Sequence, residues 1–172
     1  METFDTILCR KSTRAYPAEQ ISEEKLNKVI LAANASPVQK GAYDNYHLTI
    51  VQKPEVFEKL EAFTDGHPYY GAPTAIIISA GQDENGELDD EDVLTIGTIE
   101  ENMALAATDQ GLGFAYITGA IINGLMGKQD LIDSLGIPEN FIPRMGIVLG
   151  NLEDGYEKRD VPMDRIKQNF IK

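Results

Sequence analysis

Cysteine is almost absent from this chain of 172 residues: Cys9 is the only one, so no intrachain disulfide can form and packing alone must hold the fold. A reducing compartment is the natural setting, and a cytoplasmic location is expected. Long apolar runs are missing as well. No segment approaches the roughly 18 consecutive apolar residues that a membrane helix needs. The N-terminus carries Glu2 and Asp5 where an export signal has a basic region and an apolar stretch, so neither secretion nor membrane insertion is expected. Basic charge is scarce, with 15 Lys and Arg against 28 Asp and Glu and a formal net charge of -13. That field repels DNA, RNA and anionic lipid, whose binders carry a basic domain or stripe. Polyanions are excluded as partners, but one small anion is not.

Several motifs fail their templates. There is no Walker sequence and no Gly-x-Ser-x-Gly elbow, and His47 and His67 have no companions at metal-ligand spacing, so no metal site is expected. The acidic run Asp83 to Asp92 imitates a calcium loop, yet Leu88 and Leu94 stand where Gly and Glu are required. Gly111-x-Gly113 follows a helical segment and lacks a third glycine, so it is no dinucleotide fingerprint. No repeat, low-complexity tract or linker divides the chain. One domain over residues 1–172 is expected, large enough to bury about 70% of its unfolded surface.

What is present reads as alternating helices and strands, an α/β-type domain. Phe4, Ile7 and Leu8 share a helical face, predicting a short helix over 2–9. Ser22 is a candidate N-cap for a helix over about 23–34, in which Leu26, Val29, Ile30 and Ala33 repeat at helical spacing. Tyr46 to Gln52 alternates as a strand does, and Pro54 opens a helix whose Val56, Leu60 and Phe63 face a core. Residues 73–80 form a continuous apolar run, expected to be a central strand covered on both faces. The longest helix follows, with Ile96, Ile99, Met103, Ala106 and Gln110 in step and an end near Gly111. Phe114 to Thr118 and Met145 to Leu149 read as strands, and Leu131 to Leu135 as the end of a helix. The tail from Gly150 is polar but carries Val161, Met163, Ile166, Phe170 and Ile171, which points to packing on another subunit.

Arg10-Lys11-Ser12-Thr13-Arg14 places three cations and two hydroxyls in five residues of an acidic chain. A solvated run is one reading. A phosphate site is the other, because Arg forks and a hydroxyl at this density match a phosphate's charge and oxygens. Lys158-Arg159 is a second basic pair, set among Glu153, Asp154, Glu157 and Asp160, that can converge on the same anion or stay an exposed loop. Cys9 beside Arg10 and Lys11 is either an activated thiol or a packed one. Tyr69-Tyr70 either packs or forms an aromatic lid.

With these residues in order, the chain resembles the short members of the nitroreductase family. The resemblance rests on a helix followed by Arg10-x-Ser12-x-Arg14 and on the loop Ala35-Ser36-Pro37-Val38-Gln39 before the strand at Tyr46. It rests further on Gly111-Leu112-Gly113 with Ile117-Thr118-Gly119 behind it, and on Lys158-Arg159 after the last strand. It spans nearly the whole chain.

The resemblance implies an α+β fold, a mixed sheet flanked by helices, in an intimate homodimer with FMN sites at the interface. It implies FMN as cofactor and NADH or NADPH as electron donor. By it, Arg10, Lys11, Ser12, Arg14, Lys158 and Arg159 hold the phosphate, while Ser36, Pro37, Val38, Gln39, Ile117, Thr118 and Gly119 line the ring. The chemistry would lie on flavin N5 with no catalytic side chain, serving nitroaromatics, quinones or related small acceptors by ping-pong transfer. The chain departs from the family in two places; the first, in the 39–46 loop, keeps open an alternative, a flavin-binding or redox-sensing protein with little turnover, and the second bears on nicotinamide or substrate handling. The loop reads Gln39-Lys40-Gly41-Ala42-Tyr43-Asp44-Asn45-Tyr46 where many members have Asn and Gln-Pro-Trp. Ala120 and Ile121 also stand where the family has a glutamate.

Overall fold

The computed structural model describes all 172 residues. Its centre is a sheet of four strands, β1 (Tyr46–Val51), β2 (Thr74–Gly81), β3 (Leu112–Tyr116) and β4 (Phe141–Asn151), in the order β1-β2-β4-β3. Every pairing between these strands is antiparallel. The expected mixed sheet is thereby corrected: the one parallel pairing is an isolated bridge from Ser12 to Phe114. Segment 11–14 follows a helix and lacks the alternation that marks a strand, so this bridge had no signature in the sequence.

Six helical segments surround the sheet: α1 (Thr3–Cys9), α2 (Glu23–Asn34), α3 (Pro54–Glu61), α4 (Asp90–Asp109), the single turn α5 (Thr118–Ala120) and α6 (Gln129–Ser134). A π-type turn over Ile121–Leu125 extends α5. Along β2 the side chains alternate between two cores, as a pleated strand requires. Ile76, Ile78 and Ala80 pack with Leu26 and Val29 of α2 and with Ile96, Ile99 and Met103 of α4. Ala75 and Ile77 face Leu60 of α3, Ile121, Leu125, and Leu131 and Ile132 of α6. β2 is therefore the central strand covered on both faces. Each fully buried isoleucine in this layer contributes about 1.5–3 kcal/mol of transfer free energy.

The local signals explain the ends. Ser22 Oγ accepts from Lys25 N at 3.4 Å and caps α2, and Pro54 occupies the first turn of α3, where its missing N–H costs nothing. Asp89 caps α4 by accepting from Asp92 N at 2.6 Å. Two expectations shift. β3 begins at Leu112, because Gly113 is in the strand and not before it: a Cβ there would lie 2.8 Å from Leu152 Cδ2 and 3.0 Å from Tyr16 Cε1. β4 starts four residues early at Phe141 and carries Pro143 at a register irregularity, the kind of place a sheet tolerates proline. Phe63, expected to face a core, lies just past α3 and is half exposed. No helix is long and apolar enough to cross a membrane.

Candidate functional site

The basic segment is built onto the sheet. α1 ends at Cys9, and Arg10 follows with its N–H on Thr6 O at 2.9 Å. Thr13 N then donates to Phe114 O at 2.7 Å beside the Ser12–Phe114 bridge, which fastens the segment alongside β3. The Tyr16 ring seals the join. It lies over Gly113 and Gly150, each of which has a neighbouring Tyr16 atom within 3.0 Å of where a Cβ would be, and its hydroxyl donates to Thr13 O at 2.8 Å. Burial drives the Tyr16 phenol well above its ordinary pKa, so it stays a neutral donor. A groove of about 620 Å³ opens here, lined by Lys11, Ser12, Thr13 and Arg14 on one wall and by Glu153 and Asp154 on another.

A second cavity, of about 610 Å³, lies at the far end of β3. Phe63, Tyr70 and Tyr116 supply aromatic surface, and Ile117, Gly119 and Asn123 complete the wall. Consecutive left-handed residues, Tyr70 (φ 55°) and Gly71 (φ 68°), shape one side. An aromatic residue at positive φ is strained, and the turn that imposes it brings Tyr70 to the cavity while Tyr69 goes into the core. The aromatic-lid expectation thus divides between the pair. Burial pushes the Tyr69 phenol up to about 12.

One side-chain chain joins the two regions. Arg10 Nε lies 3.7 Å from Glu101 Oε1, and the Tyr116 hydroxyl donates to the same carboxylate. Burial and then Glu101 hold the Tyr116 phenol far above its ordinary range, so at neutral pH it remains a donor.

The sequence-predicted residues therefore fall into three groups. Arg10, Lys11, Ser12 and Arg14 lie along the groove and its approach, and Ile117 and Gly119 line the cavity with Thr118 between them. Lys158 and Arg159 come to the end of α1. Lys158 Nζ meets Asp5 Oδ1 at 2.7 Å, a bond that raises the ammonium's pKa, while Arg159 donates to the Leu8 and Ile7 carbonyls, each at 2.9 Å. Arg159 thereby satisfies carbonyls that a helix C-terminus leaves open. The third group stands apart. Ser36 Oγ donates to Ala32 O at 3.0 Å and accepts from Asn102 Nδ2 at 2.8 Å, Pro37 O accepts from Thr98 Oγ1 at 3.3 Å, and Gln39 bonds Glu91. Val38 lines only a separate small pocket beside Tyr43 and Ile99. Ser36 to Gln39 are thus tied to α4 and touch neither cavity. Cys9 is buried.

Sequence reasoning missed Tyr116, Phe63, Asn123 and the pair Glu100–Glu101. Tyr116 offered one signal, an aromatic residue directly before Ile117-Thr118-Gly119. Glu100 offered another, a carboxylate on the buried stripe between Ile96 and Met103.

No protein-family model matches the chain. Among curated proteins, one from Archaeoglobus fulgidus, assigned the name NADH dehydrogenase/NAD(P)H nitroreductase, is 30% identical over 167 residues, 92% of each chain. A protein of the same name from Methanothermobacter thermautotrophicus is 28% identical over 94% of this chain and 83% of its own. Among solved structures, a nitroreductase with bound FMN from Bacteroides fragilis superposes with a TM-score of 0.81 at 25% identity, over the whole of both chains. A likeness of this extent to the first relative, with the fold superposing over the whole chain, identifies the chain as a member of the nitroreductase family.

Proposed function

We propose that the protein is an FMN-dependent oxidoreductase that takes electrons from NADH or NADPH and passes them to a small oxidised acceptor, a nitroaromatic or quinone, in ping-pong order. The observation that carries this reading is the pairing of a groove holding Lys11, Ser12 and Arg14 with an aromatic cavity at the two ends of β3, linked through Arg10, Glu101 and Tyr116. The names and the FMN of the relatives point the same way.

The residues fit a phosphorylated flavin. Lys11 and Arg14 are engaged in no ion pair, so their charges are available to a phosphate, and Ser12 supplies a hydroxyl on backbone fixed to β3. At the other end, Gly119 presents open backbone, with nothing within 4 Å of a would-be Cβ, so a ring system can approach its N–H closely. Phe63, Tyr70 and Tyr116 offer faces for stacking and exclude water from the ring. When bound, the flavin supplies hydride acceptance and donation at N5, and the protein supplies binding, orientation and electrostatics.

A homodimer completes the site in this reading. Ser36, Pro37, Val38 and Gln39, which reach neither cavity of their own subunit, would line the partner's flavin. The apolar surface of α1 and the tail, Phe4 at 74% exposure, Phe170 at 78% and Ile171 at 95%, would be covered in the pair. Buried Cys9, the chain's only thiol, accords with a cytoplasmic setting.

The test is an absorption spectrum with anaerobic titration. The purified protein is expected to be yellow, to be bleached by NADH or NADPH, and to recover its colour on adding a nitroaromatic or quinone. A colourless protein that ignores added FMN overturns the reading. Ala120 and Ile121 beside Gly119 favour a second reading, a flavin carrier with little turnover, because no acidic side chain follows the ring-lining turn. Steady-state turnover above about 1 per second excludes it.

A further inference from the structure

Glu100 is a buried carboxyl group that this mechanism leaves unused. It lies on the apolar stripe of α4 at 7% exposure, and burial lifts its pKa to about 7 against the opposing effect of a backbone hydrogen bond. That bond comes from Gly146 N to Glu100 Oε1 at 3.0 Å, and Gly146 O in turn accepts from Ile117 N at 2.8 Å. Two hydrogen bonds therefore separate the carboxyl group from the wall of the ring cavity.

The Gly146 peptide has little room to move. A Cβ on Gly146 would meet Ile76 O at 2.6 Å, Ile77 Cα at 3.3 Å and Ile117 Cδ1 at 3.5 Å, so the peptide is wedged between β2 and Ile117. Just before it the ladder with β2 slips, Ile78 pairing with Met145 and Ser79 with Pro143. The sheet holds this stretch less regularly, and Glu100 supplies the acceptor for the Gly146 N–H. The Gly146 N–H and C=O belong to successive peptide planes that share the Gly146 Cα, and that Cα packs closely on Ile76 and Ile77, so anchoring the N–H on one side restrains the carbonyl that Ile117 uses on the other.

We propose that Glu100 is a positioning residue: its carboxyl group, anchored on Gly146 N–H, sets Ile117 and the Thr118–Gly119 turn, and its ionisation tightens that wall. This rests on the flavin reading of the cavity. An ionised acceptor forms the stronger bond to an N–H. The other titratable groups around it are Glu101 on the same helix, Tyr116 on β3 and Arg10 after α1, joined to one another as described above. β2 carries no titratable residue, and Arg144, the one on β4, bonds Met126 Sδ at 3.6 Å. On α2, Glu24 and Lys28 pair with each other in solvent at 3.0 Å.

Backbone amide NMR across pH 5 to 9 tests the linkage without cofactor. The Gly146 and Ile117 amide resonances are expected to titrate together with one midpoint, and to be static in Glu100→Gln. FMN affinity, read by fluorescence quenching, is expected to rise with pH in the wild type, to lose in Glu100→Gln the component that shares the Gly146 midpoint while keeping that of the phosphate, and to fall about tenfold in Glu100→Leu, where Gly146 N–H loses its acceptor. An Ile117 amide that ignores the Gly146 titration overturns the proposal. Wild-type affinity in a folded Glu100→Leu does so equally. If the wild type binds no FMN, the function proposed above fails, while the amide titrations still decide the role of Glu100.

Discussion

At the scale of single residues, the site is a matter of which charges are already paired. Arg14 and Lys11 have no ionic partner, whereas Arg159 is committed to the end of α1 and Lys158 to Asp5. Arg14→Ala is therefore expected to weaken FMN binding by roughly 10- to 100-fold, the worth of one charge-assisted hydrogen bond, with an unchanged far-UV circular dichroism spectrum. Arg159→Ala is expected to act differently, lowering the melting temperature through the lost helix cap. Glu100 gives a pH signature of its own. Its pKa is raised from 4.5 to about 7 on folding, so the folded state holds its proton longer, and the stability it contributes is present below pH 4.5 and lost as pH rises through 7. The melting advantage of Glu100→Gln over wild type is expected to grow between pH 5 and pH 8, by on the order of 3 kcal/mol at most. A constant difference across that range would show that Glu100 titrates normally. The cations of residues 10–14 were legible because they contradict the charge of the whole chain. Glu100 was not, because an apolar stripe read by its hydrophobic members passes over the acid between them.

At the scale of elements, the sequence was clear wherever a cap or a period was strong. α2 begins after Ser22 and runs Glu23–Asn34 as its spacing requires, and Ser22→Ala is expected to cost about 1 kcal/mol, read as a lower denaturant midpoint at constant slope. β2 was legible from its unbroken apolar run. β3 was misplaced by two residues because Gly113 looks like punctuation, while its real role is to admit the Tyr16 ring. That role is tertiary and leaves no local pattern. The same holds for the π-type turn after Ala120 and for the early part of β4, where Pro143 sits at a register irregularity that only the paired strand reveals. Gly113→Ala is expected to displace Tyr16 and with it segment 11–14, so FMN affinity should fall more than stability does. Equal losses in both would mean that the glycine serves the core alone.

At the scale of the whole molecule, the fold class was legible and the sheet's direction was not. Short strands separated by helices suit parallel and antiparallel sheets alike, and only the observed pairings, all antiparallel, decide between them. The tail shows what a single chain leaves open. Met163 at 88% exposure and Ile166 at 81% touch no core, and the hydrogen bonds of residues 162–172 are local, from Arg165 to Pro162 and from Gln168 to Met163. Removing residues 162–172 is expected to leave the core's melting intact while shifting the sedimentation coefficient towards a monomer and releasing flavin. A truncated protein that stays dimeric and yellow would place the interface elsewhere. The bridge from Ser12 to Phe114 has a metric consequence. Because segment 11–14 is fastened to the same strand that ends at the aromatic cavity, the separation of groove and cavity is counted in strand residues. From Phe114 to Ile117 it is roughly 10 Å at the usual rise per residue. In the flavin reading proposed above, β3 is a ruler graduated for one ribityl chain, and ligands with a longer or shorter spacer between phosphate and ring are expected to engage one end and miss the other.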